Sequence, residues 1–269
     1  MKKPLRIPDL QLKKERGEKI AMLTAYSAWM ARLLAESGAV DLLLVGDSLG
    51  MVELGYDTTL PVTMADMLRH TRAVRAGAPQ ALVVADMPFL SYQASPAQAL
   101  RNAGRLMRHG ATAVKLEGGA AAAPTVAALV AAGIPVMGHI GLQPQSVHAQ
   151  GGYRRQATRP EEQRRLVEDA VALDAAGAFS VVVECVAAEA AAQVTAALRI
   201  PAIGIGAGPH CDGQVLVVYD MLGLSGQAPS FAKEYASLGA SIREAVSAYA
   251  AEVRSGAFPA AARKQEASA

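Results

Sequence analysis

The chain has 269 residues, 52% hydrophobic and 19% charged, with a formal net charge of +2. That balance carries no electrostatic footprint for nucleic acid or an anionic membrane. Two cysteines, Cys185 and Cys211, cannot make a disulfide framework or a metal knuckle, so a reducing cytoplasmic setting is the simplest reading.

Met1-Lys2-Lys3-Pro4 is basic, but no apolar run follows it, so no secretion signal is expected. No apolar stretch reaches the roughly 20 residues of a spanning helix. One α/β domain accounts for the length, burying roughly three quarters of its surface.

Strand and helix signals alternate from the start. Ile20–Thr24 is the first candidate strand, followed by an amphipathic segment at Ala28–Ser37 and a second strand at Asp41–Val45. A helix over Met64–Arg75 precedes a strand at Ala81–Ala85, and one over Pro96–His109 precedes Thr112–Leu116. Pro135–Gly138 and Phe179–Val183 are the next strands, with a helix over Glu161–Ala176 between them. Ala202–Ile205 and Val215–Val218 complete eight candidates. Glycines at 38, 110, 133 and 177 end several helices just before a strand, as C-caps do in βα repeats.

Continuous Val/Leu/Ile runs read as parallel strands buried on both faces. Eight of them alternating with helices predict a (β/α)8 TIM barrel, with an open doubly wound sheet as the alternative. The barrel domain is expected to span residues 1–258, with an N-terminal helical extension and a flexible tail at 259–269. The stretch from His139 to Arg159 lacks periodicity and is long for a connection, which predicts a lid or binding loop.

Four apolar runs end in an acid: Asp47, Asp86, Glu117 and Glu184. Such positions lie at the mouth of the barrel, where this architecture places its chemistry. Neighbouring strands are about 4.8 Å apart, so Asp47, Asp86 and Glu117 can share one ion. Hard oxygen ligands with few His or Cys nearby favour Mg²⁺ over zinc. The competing reading is N-capping of the following helices.

Lys115 and Glu117 are two apart and share one face, expected to be the interior. Lys115 then either fixes an anionic substrate or forms a Schiff base; a structural ion pair is the plain alternative. Glu184 stands apart from the other three acids and suits a general base. Cys185 reads as a small packed residue, His139 as a hydrogen-bonding group and His148 as solvated. Gly204-Ile205-Gly206-Ala207-Gly208 is a tight turn without dinucleotide spacing.

Several segments resemble the ketopantoate hydroxymethyltransferase family. They are Leu44-Val45-Gly46-Asp47-Ser48-Leu49-Gly50, Ala85-Asp86-Met87-Pro88-Phe89, Val114-Lys115-Leu116-Glu117-Gly118-Gly119, the stretch from Gly138 to Ser146, and Gly204–Gly208. The similarity runs from about Thr24 to Pro259. It implies a cytoplasmic homodecamer that transfers a hydroxymethyl group from 5,10-methylenetetrahydrofolate to 3-methyl-2-oxobutanoate, the first committed step of pantothenate synthesis.

By the same resemblance, Asp47, Asp86 and Glu117 match the Mg²⁺-site acids. Asp47, Ser48, Asp86 and Lys115 match the keto-acid contacts, and Glu184 the proton acceptor. The chain departs from the family pattern at Ser27, at His148 and around Gln156-Ala157, where a glycine is expected after the glutamine. The rival enzyme reading is a metal-dependent lyase or mutase of the phosphoenolpyruvate mutase and isocitrate lyase type. The rival outside catalysis is a keto-acid-binding barrel.

Overall fold

The computed structural model describes residues 4–226 and 228–259. Its contacts divide into two compact units, one reaching Val218 and the other starting at Tyr219. The tail expected at 259–269 lies, apart from Pro259, outside the described residues.

The first unit is the predicted barrel. Its elements are α1 (Ile7–Glu15), β1 (Ile20–Thr24), α2 (Ala28–Glu36), β2 (Leu42–Val45), α3 (Leu49–Val52), α4 (Met64–Gly77), β3 (Leu82–Asp86), α5 (Pro96–Arg108), β4 (Ala113–Glu117), α6 (Ala123–Ala131), β5 (Val136–Gly141), α7 (Pro160–Ala175), β6 (Ser180–Glu184), α8 (Ala188–Ala197), β7 (Ala202–Ile205) and β8 (Gly213–Leu216). The strands pair in sequence order, all parallel, and β8 closes onto β1.

Local chemistry sets the helix starts. Ser27 accepts a hydrogen bond from the Met30 amide at 3.2 Å and so caps α2. Its departure from the family pattern therefore keeps a capping side chain. Thr63 and Asp66 form a reciprocal capping box on α4, and Ser95 with Pro96 opens α5.

The last strand lies two residues earlier than expected. Gly213 pairs with Ile20 on one side and Ile203 on the other, and a Cβ there would collide with the Ile20 carbonyl. The Val218 amide turns away to donate to Thr24 Oγ1 at 2.9 Å and opens α9 (Val218–Met221).

The interior is filled by alternate residues of each strand. Ile20 and Met22, Leu42 and Leu44, Leu82 and Val84, Ala113, Met137, Val182, Ile203 and Val215 form one apolar cluster. Leu10 of α1 joins it, and the Lys13–Asp41 (2.7 Å) and Lys14–Asp212 (2.9 Å) ion pairs pin that helix.

Two-residue periodicity carries these rows toward the C-terminal mouth. Leu82 and Val84 are continued by Asp86, Ala113 by Lys115 and Glu117, Met137 by His139, and Val182 by Glu184. The strands stay inward-facing while their chemistry changes from apolar to ionisable.

The second unit contains α10 (Leu238–Ser255), which ends at Gly256 in the left-handed conformation (φ +74°). The sequence reading treats residues 1–258 as one barrel domain, whereas the contacts separate units between Val218 and Tyr219.

Candidate active site

Asp47, Asp86, Lys115, Glu117 and His139 are buried at the C-terminal mouth, with Glu184 beside them. The register of the sheet brings them together. Asp86 pairs with Lys115, Glu117 with His139, and Gly141 with Glu184. Asp47 lies two residues beyond β2, and its amide donates to Asp86 Oδ2 at 3.0 Å. Ser48 Oγ is 2.8 Å from the Tyr26 hydroxyl.

Lys115 is not paired with Glu117, its neighbour on the strand. Its Nζ lies 3.0 Å from Asp86 Oδ1 and 3.2 Å from His139 Nδ1. Burial alone would lower the ammonium, but Asp86, Asp47 and Glu117 together hold it above the ordinary lysine value, so Lys115 is charged.

An ammonium can only donate, so His139 Nδ1 must accept. The ring proton then sits on Nε2, which lies 3.1 Å from Glu184 Oε2. Burial and the Lys115 charge keep the imidazole neutral by lowering its basicity. His139 thus stands between Glu184 and the other acids: Nε2 is 3.1 Å from Glu184 Oε2 without hydrogen-bond geometry, and Nδ1 is 3.7 Å from Glu117 Oε1. The sequence places Glu184 apart; the intervening strand β5 brings His139 between them.

Burial, reinforced by neighbouring acids, pushes the Asp47 carboxyl up to about 7 and the Glu117 carboxyl well above its usual range. Four acids face one ammonium and one neutral imidazole, a surplus of negative charge. Glu117 Oε1 is buried without a hydrogen-bond partner. These features fit a divalent cation. Among the described residues, no three His, Cys, Asp or Glu side chains form a ready-made cage. Mg²⁺ does not need one, because it is usually held by one or two carboxylates, waters and substrate oxygens.

The connection from β5 to α7 reaches into this cluster. A short 3₁₀ turn at Pro144–Ser146 buries Gln145, whose Nε2 donates to Asp47 Oδ2 at 2.7 Å and to Met87 O at 2.9 Å. The Gln145 amide donates to Glu117 Oε2 at 3.0 Å. Tyr92, on the loop after β3, donates to Gln145 Oε1 at 2.9 Å and accepts from the Glu117 amide at 3.1 Å. Neither Gln145 nor Tyr92 stands out in the sequence, since both are neutral and aperiodic.

Further along the connection, the half-exposed Tyr153 donates to Met51 Sδ at 3.9 Å. The connection's end is tied down where the Gln156 amide donates to Cys185 O at 2.8 Å. Cys185 (φ +47°) and Ala157 (φ +52°) both occupy the left-handed region, an arrangement that costs about 1–2 kcal/mol for a residue with a Cβ. Ala157 stands where a glycine was expected. Cys185 is only half-buried, and burial pushes its thiol up, away from nucleophilic use. His148 is exposed, as expected.

A family model described as Ketopantoate hydroxymethyltransferase matches residues 4–261. The chain belongs to the ketopantoate hydroxymethyltransferase family. Two curated relatives are each called 3-methyl-2-oxobutanoate hydroxymethyltransferase. The one from Pyrobaculum islandicum is 59% identical, covering 93% of this chain and 95% of its own. The one from Moorella thermoacetica is 56% identical, covering 94% of both chains.

Among solved structures, 2,3-dimethylmalate lyase, described as a PEP mutase/isocitrate lyase superfamily member, matches with a TM-score of 0.61. Its identity is 19%, over 96% of this chain and 90% of that one. Phosphonopyruvate hydrolase in complex with oxalate and Mg²⁺ matches with a TM-score of 0.57 at 16% identity, over 93% and 87%. At these identities the likeness is one of fold. The ketopantoate hydroxymethyltransferase family therefore shares its barrel with the lyase and mutase group weighed as the rival.

Proposed function

We propose that this chain transfers a hydroxymethyl group to 3-methyl-2-oxobutanoate, with 5,10-methylenetetrahydrofolate as the one-carbon donor, forming 2-dehydropantoate at the entry to pantothenate synthesis. The observation that carries the reading is the row-wise change from apolar to ionisable side chains at the barrel mouth. It gathers a charged lysine, a neutral histidine and four acids around one point. Family membership supplies the substrates.

Asp47, Asp86 and Glu117 would hold Mg²⁺ together with the substrate. Bound Mg²⁺ supplies Lewis acidity, which favours the enolate form of a 2-oxo acid. Lys115 neutralises the charge of the keto acid, and Ser48 lines the same end of β2. Glu184 takes the C3 proton of the keto acid, with His139 Nε2 lying 3.1 Å from its Oε2.

The C3 carbon then forms a bond to the methylene carbon, a water oxygen bonds to the same carbon, and both methylene–nitrogen bonds of the folate break. The proton taken from C3 and one proton of the water end on the two folate nitrogens. One water is consumed, because the unit arrives as methylene and leaves as hydroxymethyl. The base and the charge pair sit on different strands, so proton removal and charge neutralisation work from separate directions.

The same proposal includes a cytoplasmic homodecamer, which size-exclusion chromatography with light scattering checks. No helix among the described residues is long and apolar enough to cross a membrane.

The deciding experiment is detection of 2-dehydropantoate from 3-methyl-2-oxobutanoate and methylenetetrahydrofolate, with and without Mg²⁺. Product that needs both folate and metal supports the reading. Folate-independent cleavage or rearrangement of a 2-oxo acid would move the chain to the lyase and mutase group.

A further inference from the structure

Gln145 makes a fully satisfied set of contacts with the acids proposed to hold the cation. Both hydrogens of its side-chain amide are used, on Asp47 Oδ2 (2.7 Å) and Met87 O (2.9 Å). Its amide oxygen accepts from the Tyr92 hydroxyl (2.9 Å) and from Gln93 Nε2 (3.3 Å). Its backbone amide takes Glu117 Oε2 (3.0 Å). The amide cannot be flipped, because Met87 O only accepts and must face the nitrogen.

This one residue therefore binds one oxygen of Asp47 and one of Glu117 at once. On Glu117 the consequence is visible: Oε2 is capped, and Oε1 is the buried oxygen left without a hydrogen-bond partner. Gln145 thus occupies one oxygen of each acid and leaves Glu117 Oε1 available. Tyr92 braces the arrangement from behind, since its hydroxyl also lies 3.1 Å from Glu117 O and 3.1 Å from Glu117 N.

Gln145 also belongs to the β5–α7 connection and lies 98 positions from Asp47 in the chain. Removing the connection from the mouth would strip a hydrogen bond from two acids together. From this geometry we infer that Gln145 is a positioning residue that makes the seating of residues 143–156 and the binding of a divalent cation one coupled equilibrium. The inference rests on Asp47 and Glu117 being cation-holding acids. Coupling of this kind is reciprocal: the seated connection strengthens cation binding, and the cation strengthens seating.

The test uses the full chain and Mn²⁺, followed by electron paramagnetic resonance of the free ion and by amide hydrogen exchange across residues 143–156. Mn²⁺ is expected to slow exchange in that segment of the wild-type protein. Gln145→Met keeps the volume without the donors. It is expected to weaken Mn²⁺ binding by about 10–100-fold, the usual scale for groups that orient metal ligands, and to abolish the Mn²⁺-dependent protection.

Tyr92→Phe removes only the brace. It is expected to change both readouts in the same direction by a smaller factor, and it carries the test if Gln145→Met does not fold. Wild-type Mn²⁺ affinity and protection in the folded variants would overturn the positioning role alone. Failure of the wild-type protein to bind Mn²⁺ would overturn the metal reading beneath it.

Discussion

His139 Nε2 lies 3.1 Å from Glu184 Oε2, while the opposite ring nitrogen accepts from Lys115 at 3.2 Å. A buried imidazole with a charged donor on one nitrogen keeps its single proton on the other, so the proton-bearing nitrogen is the one near Glu184, although the pair lacks hydrogen-bond geometry here. Lys115 therefore fixes the tautomer of the histidine that lies beside the proposed base.

If Glu184 is the base, the wild-type enzyme with Mg²⁺ exchanges the C3 hydrogen of 3-methyl-2-oxobutanoate into D₂O without folate. Glu184→Gln retains size and polarity but accepts no proton. The exchange rate, followed by proton NMR at saturating keto acid, is expected to fall by about 10²–10⁴-fold, with Mn²⁺ affinity near that of the wild type. Unchanged exchange would remove Glu184 from the mechanism.

The surplus of acids over cations at the mouth fits a bound divalent ion, and the proposed reaction would depend on it. Exhaustive chelation is expected to abolish product formation, and added Mg²⁺ to restore it. Full activity in protein shown to be metal-free by elemental analysis would end the metal reading.

Lys115 acts as a charge in this scheme, not as an imine. Borohydride added with the keto acid is expected to leave the protein's mass unchanged; a covalent adduct at Lys115 would reverse that assignment. Lys115→Ala is expected to lower kcat/KM for the keto acid by on the order of 10²-fold or more, the scale of truncating one partner of a buried charge pair.

Two helical glycines offer opposite outcomes from one chemical change. A Cβ on Gly77, at the end of α4, would run into the Ala28 carbonyl at the start of α2. Gly77→Ala is expected to destabilise the fold by about 1–3 kcal/mol through overpacking. A Cβ on Gly104, inside α5, meets nothing closer than Arg108 Nη1 at 3.7 Å. Gly104→Ala is expected to gain about 0.5–1 kcal/mol from helix propensity. Thermal melts of the two variants should move in opposite directions, and a loss in Gly104→Ala would contradict the packing seen around α5.

Much of the barrel is legible in the chain because each strand is a continuous apolar run closed by Gly or Pro. The acids are legible because they end those runs. Lys115 and Glu117 on one face follow directly from the two-residue period of a strand. Strand 8 starts at Gly213 and not at Val215, because its register depends on Gly213 fitting against the Ile20 carbonyl, a contact nearly two hundred positions away in the chain.

Gln145 and Tyr92 were not legible as site residues, since a neutral side chain in an aperiodic loop carries no charge or period to betray its depth. The same limit applied to the pairing of Lys115. Spacing offers Glu117 as a partner, and the structure gives Asp86 and His139 instead, because same-face residues along one strand are about 7 Å apart while neighbouring strands are only about 4.8 Å apart.

The sequence by itself determined the strands, their inward rows and the residue types at the mouth, since these follow from local periodicity and from the cost of burying charge. Only the tertiary structure decided which oxygen faces which donor, that His139 comes to lie between Glu184 and the other acids, and where Gln145 comes to rest. Those are contacts between residues far apart in the chain, set by barrel closure and strand register, and no local pattern encodes them.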